Sequence, residues 1–190
     1  MVRKMMAVSA ITLVLMFVFW GVFLASEMRV FFTLGVVSLT VSFHFSIRLV
    51  IGGLIDYNLK NRVDYTKGWF REKGFEKGLY KTLRVKKWKN RMPTANEDYF
   101  SVKKHSLEEI VMAGCQAEIV HELCAAAGFL SVLFAIPFGD WWVFFITAAV
   151  GAVYDMIFVL IQRCNRPRLL KALEREKRAK MANSKENNDD

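Results

Sequence analysis

Four stretches of this 190-residue chain are too long and too apolar to be the buried faces of one soluble domain. Met5 to Ala25 carries no charge over 21 residues. At about 1.5 Å per helical residue it reaches across roughly 31 Å, the thickness of a bilayer's hydrocarbon core. A second block runs from Val30 to Ile55 and holds His44 and Arg48. A third ends at Phe138 and begins at Ile110 once its titratable residues are admitted, and a fourth, Trp141 to Ile161, is interrupted only by Asp155. Lipid offers no partner to a bare N–H or C=O, so blocks of this length are expected to be helices. The chain is read as an all-α integral membrane protein with four transmembrane helices. A cleaved signal peptide would have a shorter apolar core and small residues at both cleavage-site positions, a pattern that "VFLASE" (22–27) does not meet, so the first block is expected to stay as a helix.

The connectors set the organisation. Ser26–Arg29 and Pro137–Asp140 are short enough for tight turns, so helices at about 5–25 and 30–55 form one hairpin (residues 1–55). Helices at about 110–138 and 141–161 form a second hairpin (110–168). Between them lies a polar segment, 56–109, in which Asp56 to His105 carries fourteen Lys and Arg against six acids, a net +8. The positive-inside rule puts this segment and both termini in the cytoplasm, as in a multi-pass protein of the cell (inner) membrane. Residues 169–190 read as a basic cytoplasmic tail whose "NSKENNDD" end is expected to be disordered.

Within the central segment, "GWFREKGFEKGLYKTLRVKKWKNRMP" (68–93) interleaves aromatic and basic residues. Phe75, Leu79 and Leu83 recur every four residues, which predicts an amphipathic helix weakened by Gly74 and Gly78. Such an element suits a membrane–water interface rich in anionic lipid. The same lysines, Lys86, Lys87 and Lys89 around Trp88, suit the phosphates of an acyl donor. Nucleic acid is not expected, since the charge lies beside bilayer anchors and the inside rule accounts for it.

Two constellations of polar residues sit where the helices meet the cytoplasmic side. "AEIVHE" (117–122) places Glu118 and His121 three residues apart on one helix face, where a carboxylate can fix the tautomer of a general base. Glu122 points about 100° away. "QRCNRPR" (162–168) combines Gln162, Arg163, Asn165, Arg166 and Arg168 with Pro167, which is expected to break helix 4. Planar guanidinium groups there suit phosphate or carboxylate. Deeper in the bilayer, His44, Arg48 and Asp155 can form a polar network, Asp155 pairing with Arg48 or with His44. No metal is expected: "HELCA" is not HExxH, and a single Glu-x-x-His is half of a di-iron set. Cys115, Cys124 and Cys164, odd in number and without CxxC spacing, suggest neither a disulfide framework nor a zinc site.

"GFEKGLYKTLRVKKWKNRMP", "AEIVHE" and "IQRCNRPRLL", in this order among membrane helices, resemble the glycosyl-4,4'-diaponeurosporenoate acyltransferase family. The likeness covers roughly residues 68–173. It implies a small bacterial membrane enzyme that esterifies a sugar hydroxyl of a glycosyl carotenoate with a fatty acyl group. The family has Arg where this chain has Gln116, Trp at Glu122, Tyr at Cys164, and an acidic residue near Ala113.

The leading expectation is therefore acyl transfer to a hydroxyl of a lipid or carotenoid acceptor at the cytoplasmic leaflet. His121, oriented by Glu118, acts as general base, while Arg163, Arg166 and Arg168, with Lys86, Lys87 and Lys89, hold the donor. The donor, acyl-coenzyme A or acyl carrier protein, is a cosubstrate, and no cofactor is needed. No Ser or Cys stands beside His121 in the right place for an acyl-enzyme, although Cys115 and Cys124 are each within two turns, so direct transfer is the simpler route. Two other readings remain open: a membrane scaffold or lipid-binding protein whose Glu–His–Arg cluster joins helices, and a small transporter lined by His44, Arg48 and Asp155.

Overall fold

The computed structural model describes residues 2–92 and 100–189, so Pro93, which closes the first quoted motif, lies outside them. The described residues are helical, without strands. Helix α1 is Val2–Ser26, α2 Arg29–Leu59, α3 Glu76–Thr82, α4 Val85–Trp88, α5 Leu107–Gly128, α6 Ala135–Phe138 and α7 Trp141–Asp189. Short 3₁₀ turns occupy Gly68–Phe70, Lys89–Arg91 and Phe129–Phe134. Among the described residues, four helical stretches are long and apolar enough to cross a membrane: Val2–Ser26, Arg29–Leu59, Leu107–Phe138 and Trp141–Asn183. Their outward side chains are large and apolar, with Phe17, Leu24 and Ile136 exposed to 65, 80 and 83%. Water would not tolerate surfaces of this kind, and lipid does. The protein is a membrane protein.

The chain divides into two units, residues 1–58 with 120–157 and residues 59–119 with 158–190. In the first, α1 and α2 are joined by a two-residue connector in which Glu27 takes a left-handed φ of 55°. Small hydroxyl residues tie the two helices: the Ser9 and Ser46 hydroxyls are 2.6 Å apart, and Ser42 donates to the Ser9 carbonyl at 3.1 Å. Hydrogen bonds of this kind replace the hydrophobic drive that helices lack in lipid. Gly35 lets the Trp20 ring lie directly against α2. Aromatic rings pack between the helices, Phe32 tilted against Phe23 and edge-on to Phe138, and Phe134 edge-on to Phe43 and Phe144. After Gly128, α5 tightens into the 3₁₀ turn, and in α6 beyond it Pro137 lacks the donor that would have bonded back to Leu133. Gly139 and Asp140, both with positive φ, then turn the chain into α7.

In the second unit, Lys60 and Asn61 leave α2 in left-handed conformation, and the Asn61 N–H donates to Gln116 Oε1 at 2.8 Å. Val63, Phe70 and Cys115 form a small core with Leu59, Tyr65 and Ile119. The amphipathic helix expected around Phe75, Leu79 and Leu83 is interrupted: α3 ends at Thr82, and Arg84 adopts a left-handed φ of 49° before α4. Helix α7 corrects a further expectation: it passes through Pro167 instead of breaking there. A proline inside a helix costs about 3 kcal/mol through one lost hydrogen bond and a clash with the carbonyl of Arg163. Here the turns on either side are pinned, by buried ion pairs at Arg163 and Arg166 and by burial of Leu173.

Candidate functional site

In the second unit, Glu118 is 0% exposed on α5, and a carboxylate so placed needs charge on every oxygen. Arg163 Nη1 donates to its Oε1 at 2.6 Å, and Arg166 Nη2 donates to its Oε2. The spacing of three on α7 aims both guanidinium groups at the same acid. Arg163 also donates through Nε to Glu76 Oε1 at 2.8 Å, so two arginines face two carboxylates. The remaining donors close on the backbone of the 3₁₀ turn: Arg163 on the carbonyls of Trp69 and Arg71 at 3.2 and 3.3 Å, Arg166 on that of Phe70 at 2.9 Å. Arg166 also lies over the Phe70 ring, 5.0 Å from its centroid.

Glu76 accepts from the Tyr80 hydroxyl at 2.8 Å. Burial pushes its carboxyl up, but the hydrogen bonds from Tyr80 and Arg163, with the Arg163 charge, bring it below the ordinary glutamate value. Burial, and then the Glu76 carboxylate, push the Tyr80 phenol above its ordinary value, so it remains a donor. Beside this clamp opens a cavity of about 310 Å³. Tyr65, Thr66, Arg71 and Glu72 line it along one side, and Pro167 and Leu170 of α7 add apolar wall.

The first unit holds a different cluster. Asp155, 1% exposed on α7, accepts from Arg48 Nη2 at 2.5 Å through Oδ2 and lies 3.1 Å from His121 Nδ1 through Oδ1. His121 is 27% exposed. His44 packs against Gly128 and Gly151, and both its ring nitrogens are buried without a hydrogen-bond partner among the described residues.

These geometries redistribute the residues singled out by sequence. Glu118, expected to orient His121, has both oxygens on Arg163 and Arg166, and the carboxylate at His121 Nδ1 is Asp155. The physical reason is charge: two guanidinium groups outbid one imidazole for a buried carboxylate. Arg163 and Arg166, expected to meet donor phosphates, are already neutralised by Glu118 and Glu76. Arg168, Lys86 and Lys87 are exposed, and Lys89 Nζ donates to Asn165 Oδ1. Trp88 turns its indole N–H back to the Leu83 carbonyl at 2.9 Å. Gln162 lies over Gly114. Glu76, Tyr80 and Phe70 were missed; the available signal was Glu76, a rare acid in a strongly basic segment and inside a quoted motif. Among the described residues no group of three His, Cys, Asp or Glu side chains can hold a metal ion.

Fold and side chains together define a helical membrane protein that carries a buried charge clamp and a histidine–carboxylate pair. The family model for CrtO, glycosyl-4,4'-diaponeurosporenoate acyltransferase, matches residues 66–175, more than half of the chain, and the protein belongs to this acyltransferase family. Neither the curated proteins nor the solved structures yield a match. Glu76, Glu118, His121, Asp155, Arg163 and Arg166 all fall inside the matched segment, whereas His44 and Arg48 precede it.

Proposed function

We propose that the protein esterifies a hydroxyl of a lipid-linked acceptor, of the glycosyl carotenoid type, with a fatty acyl group at the cytoplasmic leaflet, both termini lying on that side. The observation that carries this reading is His121 with its Nδ1 at 3.1 Å from the Asp155 carboxylate. That contact selects the tautomer in which proton transfer runs through Nε2. Nε2 takes the proton of the acceptor hydroxyl as its oxygen attacks the carbonyl carbon of an acyl thioester. The C–S bond breaks, the proton passes on to the thiolate, and an ester and a free thiol leave. Direct transfer needs no acyl-enzyme, in keeping with Cys115 and Cys124 being buried and free.

The donor is coenzyme A or a carrier protein, and its phosphates meet the exposed Lys86, Lys87 and Arg168, with Lys89 steered by Asn165. Arg163 and Arg166 act as the frame of the cavity, their charges being compensated. Family membership and the basic segment support this assignment. The test is acyl transfer by the purified protein in lipid nanodiscs, from labelled acyl-coenzyme A or acyl carrier protein to a glycosylated carotenoid acid. His121→Gln is expected to lower kcat by about 10²–10⁴-fold, the usual contribution of a general base. A wild-type rate in that variant refutes the role of His121.

A further inference from the structure

We infer that Arg48 is a positioning residue for His121: it supplies the charge that lets Asp155 stand as a carboxylate within the membrane segment, and thereby sets which ring nitrogen of His121 carries the proton. Asp155 is 1% exposed and belongs to a helix surrounded by apolar side chains. A carboxylate in such a place requires a compensating charge. Among the described residues, the titratable groups that face it include Arg48 and His44 from α2 and His121 and Cys124 from α5. His44 is excluded as the compensator, because neither of its nitrogens has a hydrogen-bond partner among the described residues. Arg48 contacts Asp155 directly at 2.5 Å.

The guanidinium is also held in place. Nη1 donates to the carbonyl of His44, one turn earlier in α2, at 2.8 Å, and Nη2 reaches the Gly151 carbonyl of α7 at 3.4 Å. A Cβ on residue 151 would stand 3.3 Å from Nη2, so glycine there clears the approach. Arg48 therefore delivers a fixed charge to one oxygen of Asp155 while the other oxygen stays with His121. An ionised carboxylate accepts the Nδ1 proton, and a neutral acid does not hold the ring in that tautomer. Arg48 lies outside the family-matched segment, so the first part of the chain contributes to the acid–base pair that the matched segment carries.

The kinetic arm of the test rests on the acyl-transfer reading; the spectroscopic arm does not. The full chain, ¹⁵N-labelled at histidine and held in lipid nanodiscs, has three imidazoles, and His44→Gln and His105→Gln identify the His121 signals. The wild type is expected to show His121 as the Nδ1–H tautomer. Arg48→Lys retains it, and Arg48→Gln moves His121 to the Nε2–H form or to a mixture. If Arg48→Gln does not fold, the charge-neutral pair Arg48→Gln with Asp155→Asn, which leaves no uncompensated ion, is expected to fold and to show the same loss. Acyl transfer by the folded Arg48→Gln variant is expected to fall at least about 10²-fold in kcat, with both KM values within about threefold of wild type. A wild-type Nδ1–H signature in the Arg48→Gln and paired variants overturns the assignment, as does an Nε2–H signature in the wild type. An Nδ1–H wild type that transfers no acyl group to any hydroxyl acceptor overturns the acyl-transfer reading and leaves the role of Arg48 intact.

Discussion

Replacing Glu118 by Gln isolates one charge at the centre of the clamp. The carboxylate is 0% exposed and carries one guanidinium on each oxygen. An amide keeps the shape but presents one acceptor and one donor, so its N–H₂ faces a guanidinium group. Arg163 then keeps Glu76 while Arg166 loses its carboxylate, and removing one partner from a buried ion pair costs about 3–5 kcal/mol. For a chain of this size that corresponds to a fall in Tm of roughly 6–20 °C. The assay is unfolding in mixed micelles, by heat and by denaturing detergent, followed by tryptophan emission. Combining Glu118→Gln with Arg166→Met, which removes charge and partner together, is expected to cost less than the sum of the two single changes, with a coupling of about 1–3 kcal/mol. A Glu118→Gln protein within about 1 kcal/mol of wild type, or strictly additive losses, refutes the view that Glu118 holds the two arginines.

Other outcomes follow from the same contacts. Glu76 sits below its ordinary value, 4.5, when folded, so the stability it contributes is fully present above pH 4.5 and is lost as the pH falls through the depressed folded value. Acid unfolding of Glu76→Gln is correspondingly less pH-dependent below 4.5 than that of wild type. Tyr80→Phe removes one hydrogen bond to a buried charge and is expected to lower stability by about 1.5–3 kcal/mol in the same unfolding assay. Gly35→Ala puts a methyl into the Trp20 ring and is expected to cost about 1–3 kcal/mol, visible as a shift in Trp emission and in Tm. Lys86→Ala with Lys87→Ala is expected to raise the KM for acyl-coenzyme A several-fold and flatten its salt dependence, with kcat little changed.

The four spans were legible because hydropathy is a local property: blocks such as Met5–Ala25 announce themselves within one window of sequence. Partner choice was not. Glu118 and His121 are three apart and looked like a pair, yet Glu118 is held from positions 45 and 48 residues away, and His121 meets a carboxylate 34 residues away. No periodicity encodes such distances. The same is true of Arg163, whose second acid, Glu76, is 87 residues earlier. Pro167 misled for a related reason: a local breaking signal was overridden by tertiary ion pairs in the turn before it and by the burial of Leu173 after it. Gln116 stands where the resembling family has Arg, and its side chain accepts the Asn61 N–H, which puts the change at the exit of α2.

The clamp has a consequence for the order of assembly. Its acids and carbonyls lie at 69–71, 76 and 118, but both cations lie at 163 and 166. During synthesis the turn at Gly68–Phe70 and the acid of α3 emerge 96 and 87 residues before the guanidinium groups of Arg166 and Arg163 that close on them. Loops of that length close late. The basic segment therefore acquires its fixed shape only after the fourth apolar span has left the ribosome, and chains halted before Arg163 are expected to expose the Phe70 region to protease even though their earlier helices are already inserted.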